Sequence, residues 1–311
     1  MTIIVKKNFS SSLFNFIKHK LNNQELICLP TETVYGLAGL GTNINSAKKI
    51  YQLKNRPLHK KLIFHCSDIK MVKRFFFLDQ ENEILAKRFW PGPITLILKR
   101  KSLQIPKSLT LNDYCAVRIP KNNFTLEVIK NMGSPLVMPS ANKFKKLSPI
   151  NAKMVSEQFE DSNLFIVDGG KCSIGLESTL VKISNSELEI IRPGKISLEQ
   201  IKKLLPYISV KRNEEKFFSG TSRKHYSPSK KIKLNVKEPT SKAAYINFGK
   251  KHEKEFKNLS EKGNLNEAAK NLYHFIFLAD QNKDFKSISI APIPHRDIGE
   301  AINDRLKRAA K

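Results

Sequence analysis

The stretch LKNRPLHKKLIFHC, residues 53–66, closes one kind of structure and opens another. Upstream of it Ala47, Ile50, Tyr51 and Lys54 recur at helical spacing, with Asn45 placed to cap that helix. Pro57 bars the helix from continuing, and Leu62-Ile63-Phe64 reads as a short buried strand. Between them stand Lys54, Arg56, Lys60 and Lys61 with His59 and His65, and no acid falls anywhere in residues 53–66. Two accounts of this cluster stay open on these residues alone. Cations at a helix C-terminus complement the helix dipole and need no ligand. That account leaves out Lys60 and Lys61, which sit where α/β sheets hold ligands, so the alternative is a phosphate cradle.

The same alternation extends outward. Short apolar runs recur at 25–30, 93–99, 115–120, 135–140, 163–170, 178–184 and 188–194, several of them ending in Pro, Gly or Ser as strands do when they enter loops. Helical patterns lie between them, over Asp79 to Phe89 (stopped by Pro91-Gly92-Pro93), 122–132 and 151–159. Strands interleaved with helices predict an α/β or α+β domain over 1–206, a large twisted mixed sheet with flanking helices. Residues 207–233 are polar, basic and aperiodic, and read as a linker that could act as a lid over a site. Residues 234–311 combine strand patterns at 243–249 and 287–294 with helices at 264–280 and 297–310, a small Rossmann-like α/β domain.

The chain has 311 residues and a net charge of +27, which predicts attraction to polyanions, either nucleic acid or phosphorylated small molecules. The lysines are spread along the whole chain and no nucleic-acid-binding signature accompanies them, so a lysine-rich solvated surface is an equal account of the charge. No apolar run reaches the ~18 residues that span a bilayer, and the first ten residues lack the pattern of an export signal, so a cytoplasmic protein is expected. Cys28, Cys66, Cys115 and Cys172 are scattered and form no CxxC pair, which suits reduced, partly buried thiols rather than zinc ligands or disulfides.

Three further polar groups follow strands. Ser140, Asn142 and Ser148 lie in MPSANKFKKLSP (138–149), Ser178 and Thr179 open the strand of GLESTLVKI (175–183), and Arg192 begins RPG (192–194). Hydroxyl, amide and guanidinium groups of this kind bind phosphate, ribose or carboxylate, and they equally make ordinary turns and strand starts. The common phosphate-loop, dinucleotide, zincin and nucleophile-elbow motifs are absent, and no pair of carboxylates stands out for acid–base work. An enzyme with this inventory would act by placing charged reactants and stabilising phosphate charge.

Taken in order, PTETVYGL (30–37), KNRP (54–57), FWPGPITLIL (89–98), VRIP (117–120), PSAN (139–142), DGG (168–170), GLESTLV (175–181) and IRPG (191–194) resemble the YrdC-like threonylcarbamoyl-AMP synthases. HYSP (225–228) and GEAINDRLKRAA (299–310) resemble the long form, which carries an additional C-terminal domain. The resemblance implies a nucleotidyltransferase that converts L-threonine, bicarbonate and ATP to threonylcarbamoyl-adenylate and pyrophosphate. That product feeds threonylcarbamoyladenosine formation at position 37 of tRNA through a downstream transferase. It also implies Mg²⁺ accompanying ATP without dedicated protein ligands, and leaves room for weak direct tRNA binding. By the same resemblance Lys54, Arg56, Ser140 and Asn142 form the catalytic signature. Thr33, His65, Arg118, Met138 and Ser178 hold threonine, with Arg118 on its carboxylate. Arg56, Lys60, Ser140, Ser148, Arg192 and Tyr226 hold the nucleotide, and Lys54, Arg56 and Lys60 face the triphosphate.

Two other readings remain. An RNA-binding module without catalysis would use the positive charge and would show steep salt dependence. A carbamoyl-transferring relative, as in hydrogenase maturation, would bring acylphosphatase and zinc-finger segments, for which this sequence has no counterpart.

Overall fold

The computed structural model describes residues 2–211 and 224–311. The described residues up to Lys211 form one eleven-stranded mixed sheet. Its order runs Ile3–Lys6, Phe165–Asp168, Ile27–Leu29, Gly36–Leu40, Leu136–Val137, Ile63–His65, Tyr114–Arg118, Ile94–Lys99, Thr179–Ser184, Glu187–Arg192 and Ser209–Lys211. The sheet is central because strand alternation supplies apolar side chains to both faces. Ile27 and Leu29 point toward the helices Ser11–Asn22 and Asn123–Met132, which contribute Leu13, Ile17, Leu21, Phe124 and Val128. Cys28 and Phe64 belong to the opposite face, packed with Ala47, Ile50, Val72, Phe75 and Leu85 from three other helices.

The helix expected around Ala47 to Lys54 spans Ile44–Leu53, and its cap is Asn43, not Asn45. Asn43 is extended, and its side chain accepts the free N–H groups of Asn45 and Ser46. Asn45 itself lies one residue inside the helix, where it can only be a recipient of that cap. Asp79, Asn122 and Asn151 cap the other expected helices through the backbone N–H three residues on. The strand Ile3–Lys6, the helix Ser11–Asn22, the helix Ile69–Phe75 and the strand Gly36–Leu40 were not anticipated.

A second sheet, parallel throughout, runs Lys231–Lys233, Ser287–Ile290, Ala243–Asn247 and Lys257–Asn258. Helix Leu265–Gln281 packs against it, and helix Ile298–Ala309 packs against that helix. Leu272, Ile276, Ile302 and Leu306 join the same apolar cluster as Phe64 and Val181, so the hydrophobic interior is continuous between the two sheets. The ends of the segment read as a linker are strands, Ser209–Lys211 on the first sheet and Lys231–Lys233 on the second. Its middle, 212–223, on which the lid expectation falls, lies outside the described residues.

Phe64 is fully buried at the middle of this arrangement, edge-on to Phe76 with ring centroids 5.5 Å apart. Truncating it leaves a cavity lined by the fixed sheet and cannot relax easily. Phe64→Ala should therefore cost about 3–5 kcal/mol, seen as a lower urea midpoint with an unchanged slope; an unshifted midpoint would refute it.

Candidate functional site

Strand register places the site. His65 pairs directly with Arg118 across two parallel strands, and Gly36 forms a bridge with Ser140. Pro93, on the loop after the Gln80–Phe89 helix, accepts from the Thr179 N–H, which brings Ser178 beside Thr95. These pairings gather residues from distant parts of the sequence around one pocket. Thr33, His65, Arg118, Met138, Ser140, Ser178, Arg192 and Tyr226, all expected site residues, line it. Thr31, Glu177 and His225 line it as well and were not expected. Lys54, Arg56, Lys60, Asn142 and Ser148 are buried but do not line it.

Arg118 is anchored through each of its three guanidinium nitrogens. Its Nε donates to the Gly92 carbonyl at 3.1 Å, Nη1 donates to Thr33 Oγ1 at 2.9 Å, and Nη2 pairs with Glu32 Oε1 at 2.6 Å. The FWPGP loop thus supplies a carbonyl, and the PTET turn supplies a carboxylate and a hydroxyl. Arg192 donates from Nε to the Ser178 carbonyl and from Nη2 to the Ser178 hydroxyl, both at 3.1 Å. Its turn needs a glycine at 194, because a Cβ there would come within 2.3 Å of the Thr179 backbone nitrogen.

Cations of the opening stretch are anchored to backbone carbonyls. Lys54 is buried, and Nζ donates to the Ser140 carbonyl at 2.5 Å and to the Asn142 carbonyl. It thereby fastens the PSAN loop to the end of the Ile44–Leu53 helix. Arg56 does the same within its own loop, donating from Nε to the Lys60 carbonyl at 3.0 Å and from Nη2 to the Lys61 carbonyl at 3.1 Å. Lys61 Nζ donates to the Ser108 carbonyl and is partly exposed. Asn142 ties the same turn together through Nδ2, which donates to the Lys143 and Lys146 carbonyls.

Ser148 donates to Glu177, whose second oxygen accepts from Arg305 Nε at 2.9 Å and Tyr273 Oη at 3.1 Å. Burial works against the Glu177 charge, but the Arg305 and Arg192 guanidiniums outweigh it and hold the carboxyl down at about 2. Burial, then the charge of Arg118, takes the His65 imidazole down to about 3, so it is neutral at pH 7. Burial takes His225 to about 3 as well. Burial, then Arg56, pulls Lys54 well below the ordinary lysine value. Tyr226 completes the wall, tilted against His225 and stacked on Tyr273 at 5.7 Å.

A pocket of buried arginines, hydroxyls and a neutral histidine at the strand ends of a mixed sheet defines a binder of small anionic molecules, and the class is the YrdC-like α/β fold with an attached parallel-sheet unit. The chain belongs to the Sua5/YciO/YrdC family: the family model described as "Telomere recombination" matches residues 19–194, and the "Threonylcarbamoyl-AMP synthase, C-terminal domain" model matches 196–311. A threonylcarbamoyl-AMP synthase of Bacillus subtilis is 32% identical over 93% of this chain and 90% of its own length. One from Pyrococcus abyssi is 36% identical over 70% of this chain, which spans 66% of that protein's length. The crystal structure of P. abyssi Sua5 complexed with L-threonine superposes with a TM-score of 0.88 at 28% identity, covering 100% of this chain and 97% of the other.

The depressed histidines set an acid limit. An unfolded histidine binds a proton near pH ~6.5, whereas folded His65 and His225 do so only near 3, so their stability contribution is present above pH ~6.5 and is lost as the pH falls toward 3. Glu177, low in the folded state, adds a further loss below the ordinary carboxyl range. Unfolding free energy should decline below pH 6.5 at up to about 1.4 kcal/mol per pH unit for each histidine. Denaturant titrations between pH 8 and 4 measure it, and a flat profile from 6.5 to 5 would refute it.

Proposed function

We propose that this chain is an L-threonylcarbamoyladenylate synthase, using L-threonine, bicarbonate and ATP and releasing pyrophosphate, in the service of threonylcarbamoyladenosine formation on tRNA. The observation that carries the reading is a single pocket in which two buried guanidiniums, Arg118 and Arg192, flank Ser140 and Ser178. Relatives named for this activity, and a threonine-bound solved relative, support it.

On this reading Arg118 receives the threonine carboxylate in a fork, which suits planar bidentate recognition. It is then balanced by Glu32 behind it. Neutral His65 stands next to Arg118 and adds no charge that would repel the threonine amine. Threonine nitrogen and bicarbonate combine to a carbamate with loss of water. A carbamate oxygen then attacks the α-phosphorus of ATP, and the bond to the β-phosphate oxygen breaks to release pyrophosphate. No protein nucleophile enters, so the chain contributes alignment and charge. Arg192 and the Ser140 region serve the nucleotide side, Tyr226 encloses it, and Lys54 and Arg56 act by fixing loops.

Mg²⁺ enters as part of the substrate MgATP. Among the described residues no group of three or more histidine, cysteine or acidic side chains could hold a metal, and Glu32 and Glu177 are both paired with arginines. The ion's ligands would be phosphate oxygens and water.

The test is threonine- and bicarbonate-dependent pyrophosphate release from ATP. Arg118→Lys keeps the charge and loses the fork, so its KM for threonine should rise about 10–100-fold, matching about 1.4–2.8 kcal/mol, with the KM for ATP little changed. Absence of release from the wild-type chain, with salt-sensitive RNA binding retained, would favour a binding module instead.

A further inference from the structure

Arg305 belongs to the Ile298–Ala309 helix of the C-terminal unit, yet it is only 1% exposed and its guanidinium is engaged on all sides. Nε donates to Glu177 at 2.9 Å, Nη2 donates to the Pro193 carbonyl at 2.9 Å, and Nη1 pairs with Asp304 at 2.7 Å. The guanidinium carbon lies 5.3 Å from the centre of the Tyr226 ring. Of the two contacts that reach the first sheet, Glu177 lines the pocket and precedes Ser178, and Pro193 follows Arg192. The third contact, Tyr226, is itself a pocket wall. Tyr273, on the neighbouring helix, repeats the pattern by donating to Glu177 and stacking on Tyr226.

We propose that Arg305 is a positioning residue for the nucleotide side of the pocket: from the C-terminal unit it sets Arg192, Ser148 and Tyr226 without touching substrate. This rests on the synthase reading above. The guanidinium is a rigid planar fork, so donating to Glu177 and to the Pro193 carbonyl at once fixes the distance between the strand start at Ser178 and the turn at Arg192. Glu177 transmits that placement to Ser148 through its other oxygen. Although burial opposes the Arg305 charge, Tyr226, Glu177 and Asp304 raise its pKa well above the ordinary arginine value. Without Arg305, Glu177 would be a buried carboxylate short of its main partner, and it would take up a proton or water and release Ser148. The Arg118 anchor for the threonine carboxylate is built differently. Arg118 is anchored by Glu32, Thr33 and Gly92, all on the first sheet's loops, and none of those contacts comes from the C-terminal unit. The effect of losing Arg305 is therefore lopsided, and a general loss of packing would not be.

The experiment compares Arg305→Lys and Tyr273→Phe with wild type in the full chain, varying ATP and threonine separately in the pyrophosphate-release assay. Arg305→Lys keeps the charge but cannot span both acceptors, so KM for ATP should rise about tenfold or more while KM for threonine and kcat at saturating ATP stay within about threefold. Tyr273→Phe removes one donor to Glu177 and should raise KM for ATP by about two- to fivefold. An unchanged KM for ATP in a variant whose melting temperature shows it folded, or equal rises for both substrates, would overturn the proposal. Should Arg305→Lys fail to fold, Tyr273→Phe decides it alone. A wild-type chain without threonine-dependent release would sink the synthase reading separately. ATP affinity by calorimetry then judges Arg305: weakening of about tenfold sustains the positioning role, and equal affinity removes it.

Discussion

The two buried carboxylates, Glu32 and Glu177, are the constraint on which the site depends. A pocket for anionic reactants needs guanidiniums close together and away from bulk water, and like charges in such a place repel strongly. Each carboxylate relieves that repulsion by pairing with a guanidinium at the site. Glu32 meets Arg118 at 2.6 Å, and Glu177 meets Arg305 at 2.9 Å while lying near enough to Arg192 to be held ionised by it. Each also stands next in sequence to a pocket hydroxyl, Thr33 or Ser178, so the ion pair that balances the charge also places the hydroxyl. Such pairs are poor sources of net stability but strict about geometry, which is what a site working by alignment requires.

A second layer of order comes from cations that point at the backbone. Lys54 gathers the Ser140 and Asn142 carbonyls, and Arg56 gathers those of Lys60 and Lys61. Buried carbonyls at loop ends must be satisfied, and an ammonium or guanidinium does so without water. The loops that carry the pocket hydroxyls are thereby stiff before any ligand arrives. Positive charge is thus held in the loops as well as in the pocket, whose lining cations are Arg118 and Arg192.

Much of this was legible in the residues. The apolar runs at 62–64, 93–99 and 115–120 and the helices at 80–89 and 123–132 are local patterns with local caps, and they form where expected. Gly36–Leu40 was missed because GLAGL has neither β-branched residues nor alternation; it is a strand because Ile27–Leu29 and Leu136–Val137 lie on either side of it. Ile3–Lys6 is an edge strand with exposed isoleucines, so no burial pattern betrays it. Ser140, Ser178 and Arg192 could be picked out because each lies where a strand run ends or begins, whereas Arg118 was pointed to only by the family resemblance of VRIP. Glu32, Glu177 and Arg305 could not, because an acid in a turn and an arginine in an amphipathic helix look like ordinary surface charges until the fold buries them.

The sequence by itself determined the class of architecture, many of its strands and helices, and the set of polar groups from which a site could be made. Those properties follow from periodicity, capping and turn chemistry, which act over a few residues. Only the tertiary structure decided which of the cations line the pocket and which brace its loops, and which acids answer them. Burial and charge pairing depend on strand register and on the docking of the second sheet, and those bring together residues as far apart as Glu177 and Arg305.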